Sequence, residues 1–146
     1  MTIDVSAETV IARSPREVAA FAMEAENDTS WIGGISQARR VTPGPTRIGT
    51  RVERIASFLG KKIEYVMEVE ELDPGSRIVL RSVKSPFPMK VTYSFAPVGE
   101  GTRATVRVEG GPEGFYRVAG PLMAPAVRKN LKGDVRRLKQ VLEDVI

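Results

Sequence analysis

Between Arg51 and Glu109, apolar and polar residues alternate through five consecutive segments, and the alternation keeps its phase across four turns. A two-residue loop at Gly60-Lys61, with Gly first as type II′ turns prefer, sets Phe58 against Ile63, Ala56 against Tyr65, Arg54 against Met67 and Val52 against Val69. The turn at Asp73-Pro74-Gly75 then sets Val69 against Ile78, Met67 against Leu80 and Tyr65 against Ser82. Beyond Ser85-Pro86, Leu80 meets Val91 and Ile78 meets Tyr93; beyond Gly99-Glu100-Gly101, Phe95 meets Ala104 and Tyr93 meets Val106. Strand side chains alternate with period two, so a one-residue slip at any turn would move a whole apolar set to the other face. The segments therefore predict an antiparallel meander with one apolar face. Arg54 is the one charged residue on that face.

The opposite face carries Arg51, Glu53, Glu64, Glu68, Glu70, Arg77, Arg81, Lys90, Arg103, Arg107 and Glu109, a solvated surface. Arg51, Glu70 and Arg77 fall side by side as a cross-strand charge ladder, while Glu53 opposes Glu68. Ile55, Val66, Val79 and Val83 read as exposed aliphatics. Glu68-Val69-Glu70-Glu71 has the composition of a metal or acid-base cluster, but two of its carboxylates lie on this wet face, and a solvated reading is the stronger.

On either side of the meander the period changes. Residues 2–12 alternate and predict a first strand. Ser14-Pro15-Arg16-Glu17 is a helix start, with Ser at the N-cap, Pro at the first helical position and Glu placed for a capping box; Val18, Phe21 and Ala22 form the buried stripe. Asn27-Asp28 caps a second short helical turn that ends near Trp31, closed by Gly33-Gly34. Residues 35–41 predict another strand, whose inward face the pattern does not assign. Residues 113–119 suggest a helical lead-in, broken at Gly120-Pro121. Ala124, Val127, Leu131, Val135, Leu138, Leu142 and Val145 then recur at helical spacing as one apolar stripe, with Arg128, Lys129, Lys132, Arg136, Arg137 and Lys139 largely on the other side.

With 146 residues, 42% hydrophobic and 27% charged, the chain is expected to form a single domain spanning residues 1–146. The net charge of +4 is spread over strands and helix without interleaved aromatics, so no nucleic-acid partner is expected. The absence of cysteine fits a cytoplasmic location, and no apolar run is long enough for integral membrane association. The chain also has no histidine. Ser-His and Cys-His catalysis are excluded, as are zinc sites built on those ligands, and no metal or other cofactor is expected. Whether the chain is a monomer or a homodimer is left open.

The order strand, two short helices, about six strands and a long closing helix resembles the START-like, or helix-grip (SRPBCC), superfamily. Within it the chain is similar to the polyketide cyclase/dehydrase-type proteins. The resemblance rests on Ser14-Pro15-Arg16-Glu17-Val18 with Phe21, on Trp31, and on Gly44-Pro45 followed by Ile48-Gly49-Thr50. Residues 69–75, Tyr93-Ser94-Phe95 before Gly101-Thr102, and residues 138–143 complete it over essentially the full length. It implies an α+β fold: a curved antiparallel sheet of about seven strands wrapped around the C-terminal helix, with a hydrophobic cavity between them. It further implies a small hydrophobic or amphipathic ligand (lipid-, polyketide- or aromatic-like) or a cyclase/dehydratase-type activity on such a molecule. A third reading is a surface interaction module with a closed core.

Among candidate ligand-binding residues, Arg54 is the sharpest. A guanidinium on an apolar face needs a partner: a buried carboxylate, backbone carbonyls, or a ligand's own carboxylate or carbonyl. The bland alternative buries its stem near a cavity mouth with the head in water. Tyr65, Ser82 and Tyr93 are the other inward groups with polar tips, and Tyr65 and Ser82 are expected to be neighbours. Trp31, Phe58, Met67, Met89, Phe95, Phe115, Tyr116, Leu122 and Met123 are candidates to line or close the cavity, with residues 115–123 suggesting a gate beside Gly114, Gly120 and Pro121.

Overall fold

In the computed structural model, residues 3–58, 60–85, 88–110 and 123–144 are described, Phe58 and Met123 by backbone alone. The proposed lead-in and gate, with Phe115, Tyr116 and Leu122, lie outside the described residues. Seven strands form one antiparallel sheet: β1 (Ile3–Ile11), β2 (Ile35–Arg40), β3 (Arg51–Phe58), β4 (Lys61–Asp73), β5 (Arg77–Lys84), β6 (Met89–Val98) and β7 (Gly101–Gly110). Their spatial order is β1-β7-β6-β5-β4-β3-β2, so the meander occupies the centre and β1 closes back on its last strand. Between β1 and β2 lie α1 (Pro15–Ala22), a 3₁₀ turn (Ala25–Asn27) and α2 (Asp28–Trp31); α3 (Met123–Asp144) follows the sheet. This is the helix-grip arrangement that the order of elements implied.

Local chemistry sets the helix boundaries. Pro15 follows the N-cap Ser14, whose Oγ accepts the Glu17 amide at 3.3 Å. The Glu17 carboxylate returns to the Ser14 hydroxyl at 3.0 Å rather than to its backbone, so the expected capping box is only half formed. At the far end of the chain, α3 is tied to the end of β1: Glu143 accepts from Ala12 N at 2.8 Å, Arg13 Nε donates to Leu142 O at 3.0 Å, and Lys139 Nζ donates to Val10 O at 2.8 Å.

The meander keeps its faces, and its register differs in detail. Leu80 pairs with Val91, Ile78 with Tyr93, Phe95 with Ala104 and Tyr93 with Val106, as expected. At the first hairpin the closing pair is Phe58 with Lys61, so the loop is residues 59–60, with Gly60 at φ +79 in its second position. Every pair there shifts by two: Arg54 faces Tyr65, Val52 faces Met67 and Ala56 faces Ile63. A two-residue shift leaves the faces unchanged, which is why the alternation could not detect it. Between β4 and β5, irregularities at Val66/Met67 and Val69/Glu71 place Ser82 against Met67, not Tyr65, and Leu80 against Val69.

The outer face is corrected by the same shifts. Arg51 pairs with Glu68 rather than Glu70, Arg81 joins the same carboxylate, and Arg77 pairs with Glu71. Glu53 faces Val66 and pairs with Arg39, so it has no conflict with Glu68. Val79 is fully buried rather than exposed. It stands between Glu71 and Thr92 in the ladder, with Arg77 and Arg81 beside it on its own strand, so the stems of paired arginines are positioned to cover it. Ile55, Val66 and Val83 are half-buried.

The core sits between the concave sheet face and the C-terminal part of α3. It joins Ile11, Met67, Val69, Ile78, Phe95 and Ala104 to Val135, Leu138 and Leu142, with Val18 and Ala22 of α1 sealing one end. Burial of such side chains contributes about 25 cal/mol per Å² of apolar surface removed from water.

Candidate functional site

Where α3 leaves the packed core, a cavity of about 170 Å³ remains, open to solvent on one side. Ile63, Val91, Val106 and Val108 of the sheet form its apolar walls, with Ile32 and Ile35 from the α2–β2 connection and Val127 and Leu131 from α3. Arg54, Ser57, Tyr65, Tyr93, Trp31, Asn130 and Asp134 supply its polar side chains. The interior is therefore not packed shut.

Arg54 is 5% exposed and has its partner inside the protein. Its Nε donates to Asp28 Oδ2 at 2.9 Å, its Nη2 lies 2.8 Å from the same oxygen, and Nη2 also donates to Tyr93 Oη at 3.3 Å. Asp28 is 1% exposed, carried on the one-turn α2 that packs over β2. Burial alone would lower the Arg54 pKa, but Asp28, Tyr93 and Tyr65 more than offset this and the guanidinium stays charged. Burial pushes the Asp28 carboxyl up, and Arg54 pulls it part of the way back. Burial also pushes Tyr93 up to about 12 and raises Tyr65, against the pull of Arg54 in both cases. Both phenols are therefore protonated at neutral pH, able to donate hydrogen bonds but poor bases.

Trp31 stands edge-on to Tyr93, ring centroids 5.4 Å apart and planes at 64°. A second buried carboxylate, Asp134, lies on the cavity side of α3. Its Oδ1 accepts from Gly33 N at 3.0 Å and is paired with Arg137, whose Nε donates to Trp31 O at 2.9 Å. Burial raises the Asp134 pKa, while Gly33 and Arg137 oppose the rise. Arg137 and Asp134 thus clamp the segment that carries Trp31 onto α3.

Of the sequence candidates, Arg54, Tyr65, Tyr93, Trp31 and Met89 converge on the cavity. Met67 and Phe95 are buried in the core and are absent from its described lining. Ser82 accepts from Met89 N at 2.9 Å and faces a separate open groove. The side chains of Phe58 and Met123, and all of Leu122, lie outside the described residues. Strand β2 turns Ile35 inward and sets Ala38 against Arg54, which resolves its unassigned face.

Asp28 and Asp134 were not among the sequence candidates. Asp134 was detectable: it falls three residues after Leu131 and four before Leu138, on the apolar stripe itself. Asp28 had no such marker, since a single helical turn has no period to interrupt. Among the described residues, no group of three or more Asp or Glu side chains could hold a metal ion, and no helix is long and apolar enough to cross a membrane.

These features can be set beside known proteins. Comparison with curated protein sequences gives no match. Among solved structures, a protein of Thermus thermophilus is 25% identical, with a TM-score of 0.82 over 98% of this chain and 99% of that one. The Zhui aromatase/cyclase from Streptomyces sp. R1128 has a TM-score of 0.82 at 13% identity, over 98% of this chain and 94% of that one. A START superfamily protein from Mycobacterium smegmatis also scores 0.82, at 15% identity over 98% and 99% of the two chains. At the last two identities the likeness is one of fold. A family model described as polyketide cyclase / dehydrase and lipid transport matches residues 2–143, which establishes that the chain belongs to that family.

Proposed function

We propose that the protein binds a small hydrophobic or amphipathic molecule in the cavity between the sheet and α3. The observation that carries this reading is the cavity itself: about 170 Å³, apolar on most sides, with Arg54, Tyr65 and Tyr93 gathered at one end. Ligand sites are typically built this way, with a few placed polar groups in an apolar pocket. An apolar protein cavity of roughly 150 Å³ stays dry and accepts benzene, so a ring-sized ligand fits the space. Family membership supports the reading, since the family is described as polyketide cyclase / dehydrase and lipid transport.

The test uses Trp31, the sole tryptophan, as an intrinsic reporter on the cavity wall. Titration with small aromatic compounds should shift or quench its emission saturably, and Ala56→Phe, which fills the cavity, should abolish the response. Absence of any saturable response, together with native mass spectra free of a co-purifying molecule, would reject the proposal.

Asp134 favours a second reading, a cyclase- or dehydratase-type enzyme acting on a carbonyl compound. A buried carboxylate with a raised pKa on the cavity wall is a candidate proton carrier. The prediction is loss of water from a poly-β-carbonyl substrate, followed by mass spectrometry. Asp134→Asn should stop this loss without weakening the binding of aromatic probes; no turnover by the unmodified protein leaves binding as the function.

A further inference from the structure

Helix α3 carries six basic and three acidic residues, and so three of the four net positive charges of the chain. Arg137 is paired with Asp134 and Lys139 with Glu143. Arg128, Lys129, Lys132 and Arg136 are exposed and form no ion pair among the described residues. Arg128, Lys132 and Arg136 recur every four residues and Lys129 lies three before Lys132, so the four share one face of the helix.

Helix stability does not account for this stripe. Like charges at these spacings repel one another, and a helix favours acids in its first turn and bases in its last. In α3 the first turn has no acid and the last no base, and Glu143 and Asp144 stand at the C-terminal end. The outer face of the sheet is the contrast: Arg51 and Arg81 share Glu68, Arg77 has Glu71, Arg103 has Glu8 and Arg107 has Asp4. Those arginines are neutralised in place, and the cations of α3 are not.

The surroundings of the stripe select its partner. The other exposed side chains described on α3 are Pro125, Asn130, Gln140 and Asp144, with no aromatic or large aliphatic among them. A protein partner is held mainly by aromatic and apolar anchors, and nucleic-acid sites add groups that stack on or read bases. An anionic bilayer asks for charge alone, and each Lys or Arg near its surface strengthens association about fivefold. Asn130, next to Lys129, is exposed and lines the cavity, so a bilayer on this face lies beside the cavity rim.

We propose that the outer face of α3 docks the protein on an anionic lipid bilayer, reversibly and without insertion, through Arg128, Lys129, Lys132 and Arg136. The apolar stripe of the helix stays on the sheet, where Leu131, Val135, Leu138 and Leu142 are buried in the core. Such docking goes beyond cavity binding and stands or falls apart from it.

The test is cosedimentation of the full chain with vesicles of equimolar phosphatidylglycerol and phosphatidylcholine, set against vesicles of phosphatidylcholine alone. Binding is expected to the first only, and is lost at molar salt because exposed charges are screened. Lys129→Gln combined with Lys132→Gln, which keeps helix propensity, should weaken it about 25-fold. Arg51→Gln combined with Arg81→Gln removes the same charge from the sheet and should leave vesicle binding nearly unchanged. Equal binding to both vesicles, binding to neither, or equal weakening by the two double variants would overturn the proposal; the vesicle comparison needs no variant to fold. Displacement from the vesicles by duplex DNA or polyglutamate at equal charge would give the face to that partner instead and overturn the lipid assignment.

Discussion

Arg54 and Asp28, 26 positions apart, meet as a buried ion pair in which one carboxylate oxygen takes both Nε at 2.9 Å and Nη2 at 2.8 Å of the guanidinium. The pair joins β3, the neighbour of edge strand β2, to the short helix above it, so it is where the α1–α2 segment is registered on the strands. Removing one member of such a pair strands the other charge in a dry interior. We expect Asp28→Ala and Arg54→Leu each to cost about 3–5 kcal/mol in denaturant unfolding, and the double variant to cost less than their sum. Additive costs would show that the pair is not the energetic unit.

Tyr93 provides a pH test. Its phenol is pushed to about 12, first by burial, so the protonated form is favoured by the fold. Stability from this group is fully present below its ordinary value of 10 and is lost as pH rises through about 12. Ultraviolet titration should show an ionisation near 12 that disappears in Tyr93→Phe; a Tyr93 midpoint at or below 10 would contradict the buried geometry. The same variant removes an acceptor from Arg54 and should cost about 1 kcal/mol.

Gly33 is required by a close approach rather than by an unusual backbone. A Cβ there would stand 2.2 Å from Arg137 Nη2 and 2.7 Å from Cζ. Arg137 is held by Trp31 O and Asp134, so Gly33→Ala must break that clamp. The expected loss is about 1–2 kcal/mol, the range for hydrogen bonds to a charged group that is partly exposed. Because the clash needs the arginine, Gly33→Ala should cost little more once Arg137→Ala has been made; undiminished cost in that background would place the strain elsewhere.

The two aspartates Asp134 and Asp4 should titrate on opposite sides of their ordinary value of 3.8. Burial raises Asp134; its contribution to stability is full below 3.8 and lost as pH rises through its folded value. Asp4, exposed and bound by Arg107 Nε at 2.8 Å and Nη2 at 2.7 Å, is lowered by that hydrogen-bonded contact. Its contribution is present above 3.8 and lost as pH falls through its folded value. Carboxyl ¹³C spectra resolve both midpoints, and Arg137→Gln should raise that of Asp134 further. Midpoints in the reverse order would refute both assignments.

Periodicity alone determined the strands, the faces of the meander, the closing helix and the inward guanidinium, because burial on one side of a sheet or helix imprints a period of 2 or 3.6 on the chain; the face of β2 it left open. The same rule made the two-residue register shift at Gly60 invisible, since any even shift preserves the faces. Val79 looked exposed for a related reason: alternation reports which face a residue occupies, not how far its neighbours on that face cover it. Tertiary structure alone decided which residues complete the site. Asp28 reaches Arg54 only because a one-turn helix lands above β2, and the cavity lies where α3, packed mainly on β1 and β7, faces Arg54 and Ala56 of β3 and Ile63 and Tyr65 of β4 across open space. Volume and pairing of this kind depend on how separate elements meet in space, and local pattern does not encode the distance between them.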